Sequence, residues 1–105
     1  MKLKTEVVLT NLSGEALKDT NTKGEAVDAT LEMCLINALL APMGQGKTEA
    51  GTEKLKKFNL AKKINDNKEV DLSADDIVLL KNRVGEVYPP LIVGQVYELL
   101  GEPTK

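Results

Sequence analysis

Apolar residues crowd one stretch of this chain. Between Asp28 and Ala41 they fill nearly every position: Ala29, Leu31, Met33, Cys34, Leu35, Ile36, Ala38, Leu39, Leu40 and Ala41. At 100° per residue the polar exceptions Thr30 and Asn37 fall together, with Glu32 roughly opposite. A helix that is apolar almost all round is buried almost all round. The stretch is too short and too interrupted to span a bilayer. It predicts either the central helix of the fold or a subunit interface. Because three further helices and a hairpin are a small cover for two apolar faces, we expect self-association through Leu31, Leu35 and Leu39, in a homodimer.

The remaining pattern is readable in pieces. Thr5 to Leu9 reads as a strand, Leu12-Ser13-Gly14-Glu15 carries turn chemistry, and Ala16 to Lys18 returns as the second strand of a hairpin. Asp19 to Glu25 reads as loop. Pro42 to Gly51, rich in glycine, is the clearest linker. Thr52 is the expected N-cap of a second helix ending near Asp66, with Leu55, Phe58, Ala61 and Ile64 as its apolar stripe and Leu60 widening it. Glu69 to Leu72 is extended. Ser73, with Asp76 three residues on, resembles a capping box for a third helix, whose narrow apolar face carries Ile77, Leu80, Val84, Val87 and Tyr88. Pro89-Pro90 ends it, and Pro90 opens a fourth helix that Gly101 stops. The expected architecture is a mostly α, four-helix single domain with a short N-terminal β-hairpin: residues 1–25 hairpin and loop, 26–101 helices, 102–105 tail.

Composition narrows the chemistry. A chain of 105 residues supports one domain. The net charge of −2 exerts no global pull on nucleic acid or anionic membrane. There is no histidine and a single cysteine, so an intrachain disulfide, a Cys/His zinc site and a histidine-dependent triad are all excluded. The start, Met-Lys-Leu-Lys-Thr-Glu, is charged and predicts no signal peptide. A cytoplasmic location is expected.

Several motifs suggest chemistry, and most have plainer explanations. Ala41 to Thr48, containing Gly46-Lys47-Thr48, fits a relaxed P-loop pattern, but a long helix precedes it where a strand is required, so it reads as an interhelical loop with no nucleotide. From Thr52 to Lys68 six lysines face only Glu53 and Asp66, a balance of +4. Lys56 and Lys63 share its polar side and are the candidates for nucleic-acid contact; a solvated face is the simpler reading. Asp71, Asp75 and Asp76 fail the calcium-loop spacing and suit helix capping, so no metal is expected. Cys34 reads as a core residue. No cofactor is implied. The stretch Val84 to Tyr97 is the most suggestive: two helices meet at Pro89-Pro90, Gly85 and Gly94 permit close backbone approach, and Tyr88, Leu91 and Tyr97 are the candidate protein-binding residues.

Asn37-Ala-Leu-Leu-Ala41, Glu53-Lys-Leu-Lys-Lys-Phe-Asn-Leu-Ala-Lys-Lys-Ile64, Asp71-Leu-Ser-Ala-Asp-Asp-Ile77 and Pro90-Leu-Ile-Val-Gly-Gln-Val-Tyr97 together resemble a set of small hypothetical proteins encoded by bacteriophages and prophages. The resemblance spans roughly residues 27 to 100. It implies a bacterial cytoplasm during infection or lysogeny and carries no catalytic residue with it. The expected activity is therefore binding to a host or viral protein, not catalysis. A nucleic-acid-associated factor using the basic helix 52–68 is the alternative.

Overall fold

A computed structural model describes residues 2–20, 23–41 and 49–101. In chain order the elements are β1 (Lys2–Lys4), β2 (Lys18–Thr20), β3 (Ala26–Asp28), α1 (Leu31–Leu40), α2 (Gly51–Asp66), β4 (Glu69–Asp71), α3 (Ala74–Val87) and α4 (Pro90–Leu99). The class is the expected one: four helices with a short antiparallel hairpin near the N-terminus. No helix among the described residues is long and apolar enough to cross a membrane.

α1 is the pillar of the fold. α2 and α3 both pack on it, and α4 packs on α3. Leu31, Leu35 and Ala38 are fully buried, with Cys34 and Leu39 nearly so. The helix starts later than its apolar run suggested, because Ala26–Asp28 is taken into β3 and Thr30 acts as the cap. The Thr30 hydroxyl accepts from the Met33 amide at 3.3 Å. The Leu31 and Glu32 amides donate to the carbonyls of Val7 (2.7 Å) and Thr5 (2.9 Å). The orphan amides of the first turn are thus satisfied by the N-terminal segment.

That segment runs differently from the expected strand. The named hairpin is β2 with β3, paired Lys18 to Asp28 and Thr20 to Ala26, so part of the expected Asp19–Glu25 loop is strand. Thr10 and Ala16 form only an isolated antiparallel bridge. Instead of a ladder, Leu9, Leu17 and Ala29 close a three-way ring: Leu9 N donates to Ala29 O, Ala29 N to Leu17 O, and Leu17 N to Leu9 O. β1 pairs with the distant β4, Leu3 opposite Val70, and both side chains enter the core. Thr5 is buried beside this pair, and its hydroxyl donates to the Lys68 carbonyl at 3.1 Å.

α2 buries a different face from the one its sequence suggests. Its buried residues are Lys57, Leu60, Ala61 and Ile64, whereas Leu55 and Phe58 are more than half exposed. A three-residue step advances 300°, so the row Leu55, Phe58, Ala61, Ile64 sweeps half-way round the helix and its two ends face opposite ways. The burial of Lys57 is matched by an ion pair: its ammonium meets the mostly buried carboxylate of Glu49. Thr52 lies inside the first turn; the N-cap is Ala50, with no side-chain hydrogen bond.

α3 and α4 follow the local signals closely. Ser73 and Asp76 form a reciprocal capping box, with both bonds at 3.1 Å. Tyr88 caps the end of α3 ahead of Pro89, and Pro90 is the first residue of α4. Leu80 and Val84 of α3 meet the core alongside Val96 and Leu100.

Candidate functional site

The two tyrosines of the chain are brought to one place. Gly85, Tyr88, Pro90, Val93, Gly94 and Tyr97 line an open groove of about 520 Å³ where the end of α3 meets α4. Local chemistry builds it. Pro89-Pro90 turns the chain, and the pyrrolidine of Pro90 fits the first helical position. Two turns later Tyr97 reaches back and its hydroxyl donates to the Lys81 carbonyl at 3.0 Å. Gly85 makes room for this: a Cβ there would lie 3.0 Å from the Tyr97 hydroxyl. Gly94 has no such neighbour, since a Cβ there would meet nothing within 4 Å. Leu91 does not line the groove. It is half-buried, and its carbonyl accepts from the Gln95 amide at 3.0 Å.

Tyr88 presents its ring to the groove while its hydroxyl is engaged on α1, in hydrogen-bonding contact with Asn37 and Cys34. Burial raises the Tyr88 phenol to about 12, reinforced by the neighbouring Cys34 and eased by Asn37. Burial likewise pushes the Cys34 thiol up to about 11, partly offset by the Tyr88 hydrogen bond. Both groups stay protonated at neutral pH, which suits a wall and a strut and does not suit a nucleophile or base.

Two cations on α3 do structural tasks that sequence patterning does not show. Neither α1 nor α4 carries a basic residue in its last turn. Arg83, nearly fully buried, donates to the carbonyls of Ala38 (3.1 Å) and Ala41 (2.8 Å) at the end of α1, with Glu86 at 3.3 Å. Lys81 donates to the Gly101 carbonyl at 2.8 Å, just past α4, and its ammonium stands 5.6 Å from the centre of the Tyr97 ring. Residues two apart on a helix point to different sides, so one helix caps a neighbour on each flank. Gln95 is a third unforeseen connector: its side-chain amide accepts from Thr10 N (2.9 Å) and donates to Thr10 O (2.7 Å), tying α4 to the N-terminal segment.

The other expected sites fare differently. Leu31, Leu35 and Leu39, the residues expected at a dimer contact, are buried in the core of their own chain, at no more than 2% exposure. Lys56 and Lys63 line a groove between α2 and α3 of about 650 Å³, but Glu53, Asp75 and Asp76 line it as well. Lys56 lies 3.7 Å from Glu53, and Lys63 donates to the Asp71 carbonyl. A polyanion there would meet three carboxylates. Apart from Ala41, the P-loop-like segment, with Lys47, lies outside the described residues. Among those residues no acidic, cysteine or histidine cluster is able to hold a metal ion.

Compared with known proteins, the chain matches no family model, no curated protein and no solved structure.

Proposed function

We propose that this chain is a non-catalytic accessory protein of a bacteriophage or prophage that works in the bacterial cytoplasm by holding a host or viral protein in the α3–α4 groove. One observation carries the reading: the only two tyrosines, Tyr88 and Tyr97, line one open groove beside the exposed backbone of Gly85 and Gly94. Tyrosine supplies large, rigid contact area with a polar tip, the composition favoured at protein interfaces. The tether of each hydroxyl to the scaffold pre-orders the walls, which lowers the entropy lost on binding. The phage setting rests on the resemblance of residues 27–100.

Gly94→Phe tests this reading, because the added ring enters open space and fills the groove. Bacterial lysate, with and without phage infection, is passed over immobilised wild-type chain and over the variant. A protein retained by wild type and lost on Gly94→Phe is expected, with a measurable dissociation constant on re-titration. Equal retention by both, or no specific retention, contradicts the reading.

A further inference from the structure

We infer that the outward face of α2 is a second docking site, and that its occupant is an acidic amphipathic helix of another protein. The inference does not depend on the α3–α4 groove.

Leu55 and Phe58, one turn apart on α2, are 56% and 53% exposed. More than half of each is left open by the described chain. Lys54, Phe58 and Lys62 stand at successive four-residue steps, which form one row along a helix surface, and Leu55 lies beside that row. The two ammonium groups therefore bracket the two apolar side chains, about 12 Å apart along the axis.

The state of the lysines identifies the occupant. Lys57 is paired with Glu49, Lys56 lies against Glu53, and Lys63 donates to the Asp71 carbonyl. The side chains of Lys54 and Lys62, by contrast, make no ion pair or hydrogen bond among the described residues. Of the five lysines of α2, the two left uncompensated among the described residues are those that flank the exposed apolar pair. A complementary surface carries leucine- or phenylalanine-like side chains between carboxylates roughly two turns apart, which is the face of an acidic amphipathic helix.

Other occupants fit less well. A second copy related by a two-fold axis would set lysine against lysine. A membrane-lying helix needs a broader apolar face than two side chains. Nucleic acid binds through its phosphates and makes little use of an aliphatic side chain such as Leu55.

The test is a peptide-display selection on the immobilised full chain, counter-selected on the double variant Lys54→Glu/Lys62→Glu. Acidic residues flanking leucine, phenylalanine or tryptophan should be enriched. A labelled peptide from that pool should bind Phe58→Ala and the charge-reversed chain at least about tenfold more weakly, while Lys56→Glu stays within about twofold, as an engaged rim charge should. All four positions are exposed, and circular dichroism confirms that each variant is folded. Enrichment of basic or uncharged peptides, no enrichment, or unchanged affinity in Phe58→Ala overturns the inference. So does tighter, Lys54/Lys62-dependent binding of oligothymidylate or phosphatidylserine vesicles.

Discussion

Replacing Arg83 by methionine keeps an unbranched side chain in the core and removes the guanidinium. The two carbonyls it serves, those of Ala38 and Ala41, then lose a charged donor at the end of the central helix. A hydrogen bond to a charged group is worth about 1.5–3 kcal/mol. Ala41 is half-buried and recovers some solvation, so the low end applies to each bond, giving a loss of about 3 kcal/mol for the pair. The favourable cation at the negative end of α1 is included in that figure. The Glu86 contact adds little, because its carboxylate is 41% exposed. Against a typical total of about 5–15 kcal/mol the loss is large, and it corresponds to roughly 10–20 °C in melting temperature for a chain of this size. Urea denaturation followed by circular dichroism measures it, with an unchanged slope as evidence that the unfolded state is unaltered. Arg83→Lys should recover only part of the loss, since one ammonium cannot present a planar fork to two separated carbonyls. Glu86→Ala should cost less than about 1 kcal/mol. A loss below about 1 kcal/mol in Arg83→Met, or equal losses in Arg83→Met and Glu86→Ala, would refute the capping account.

Gly85→Ala should be close to neutral in wild type, because a gain of about 1 kcal/mol in helix propensity is offset by crowding of the Tyr97 hydroxyl; in a Tyr97→Phe background the same change should stabilise, and a thermal-melt double-mutant cycle reads the difference. Cys34 and Tyr88 hold their protons to higher pH folded than unfolded, so their contribution to stability is complete below about pH 9 and falls as pH rises from the ordinary values of 9.0 and 10.0 through about 11 and 12. After discounting for solvent screening the effect is on the order of 1 kcal/mol, and a flatter alkaline loss in Cys34→Ala/Tyr88→Phe, by urea titration, checks it. Gln95→Leu should cost about 1–2 kcal/mol and remove the exchange protection of the Thr10 amide, read by hydrogen exchange. Light scattering of the free chain should give a mass near the 11.4 kDa of one copy, since Leu31, Leu35 and Leu39 are already covered.

The parts of this molecule that were legible in sequence are those whose causes are local. Ser73 and Asp76 cap α3 through bonds three residues apart, and Pro89-Pro90 breaks one helix and starts the next. Tyr88 and Tyr97 meet at that corner because Pro89-Pro90 folds α4 against the end of α3, whereas Leu91, one residue past it, does not line the groove and its carbonyl accepts from the Gln95 side chain. Where the cause is distant the pattern misleads. The three-residue recurrence from Leu55 to Ile64 resembles a stripe until its drift around the helix is followed, and α1, not α2, decides which end is covered. The buried position of Lys57 depends on Glu49, two residues before the start of α2. Arg83 and Lys81 serve carbonyls of other helices, and a backbone acceptor leaves no trace in residue identity. The closed ring of Leu9, Leu17 and Ala29 is equally silent, being made wholly of backbone groups.

The central claim is that the α3–α4 groove holds a protein partner. It is tested most directly by mapping amide chemical-shift changes on the isotopically labelled full chain as the protein captured from lysate is added. The account predicts that the largest changes cluster at Gly85, Tyr88, Val93, Gly94 and Tyr97 and disappear in Gly94→Phe. Changes centred elsewhere, with the groove amides unmoved, would contradict it.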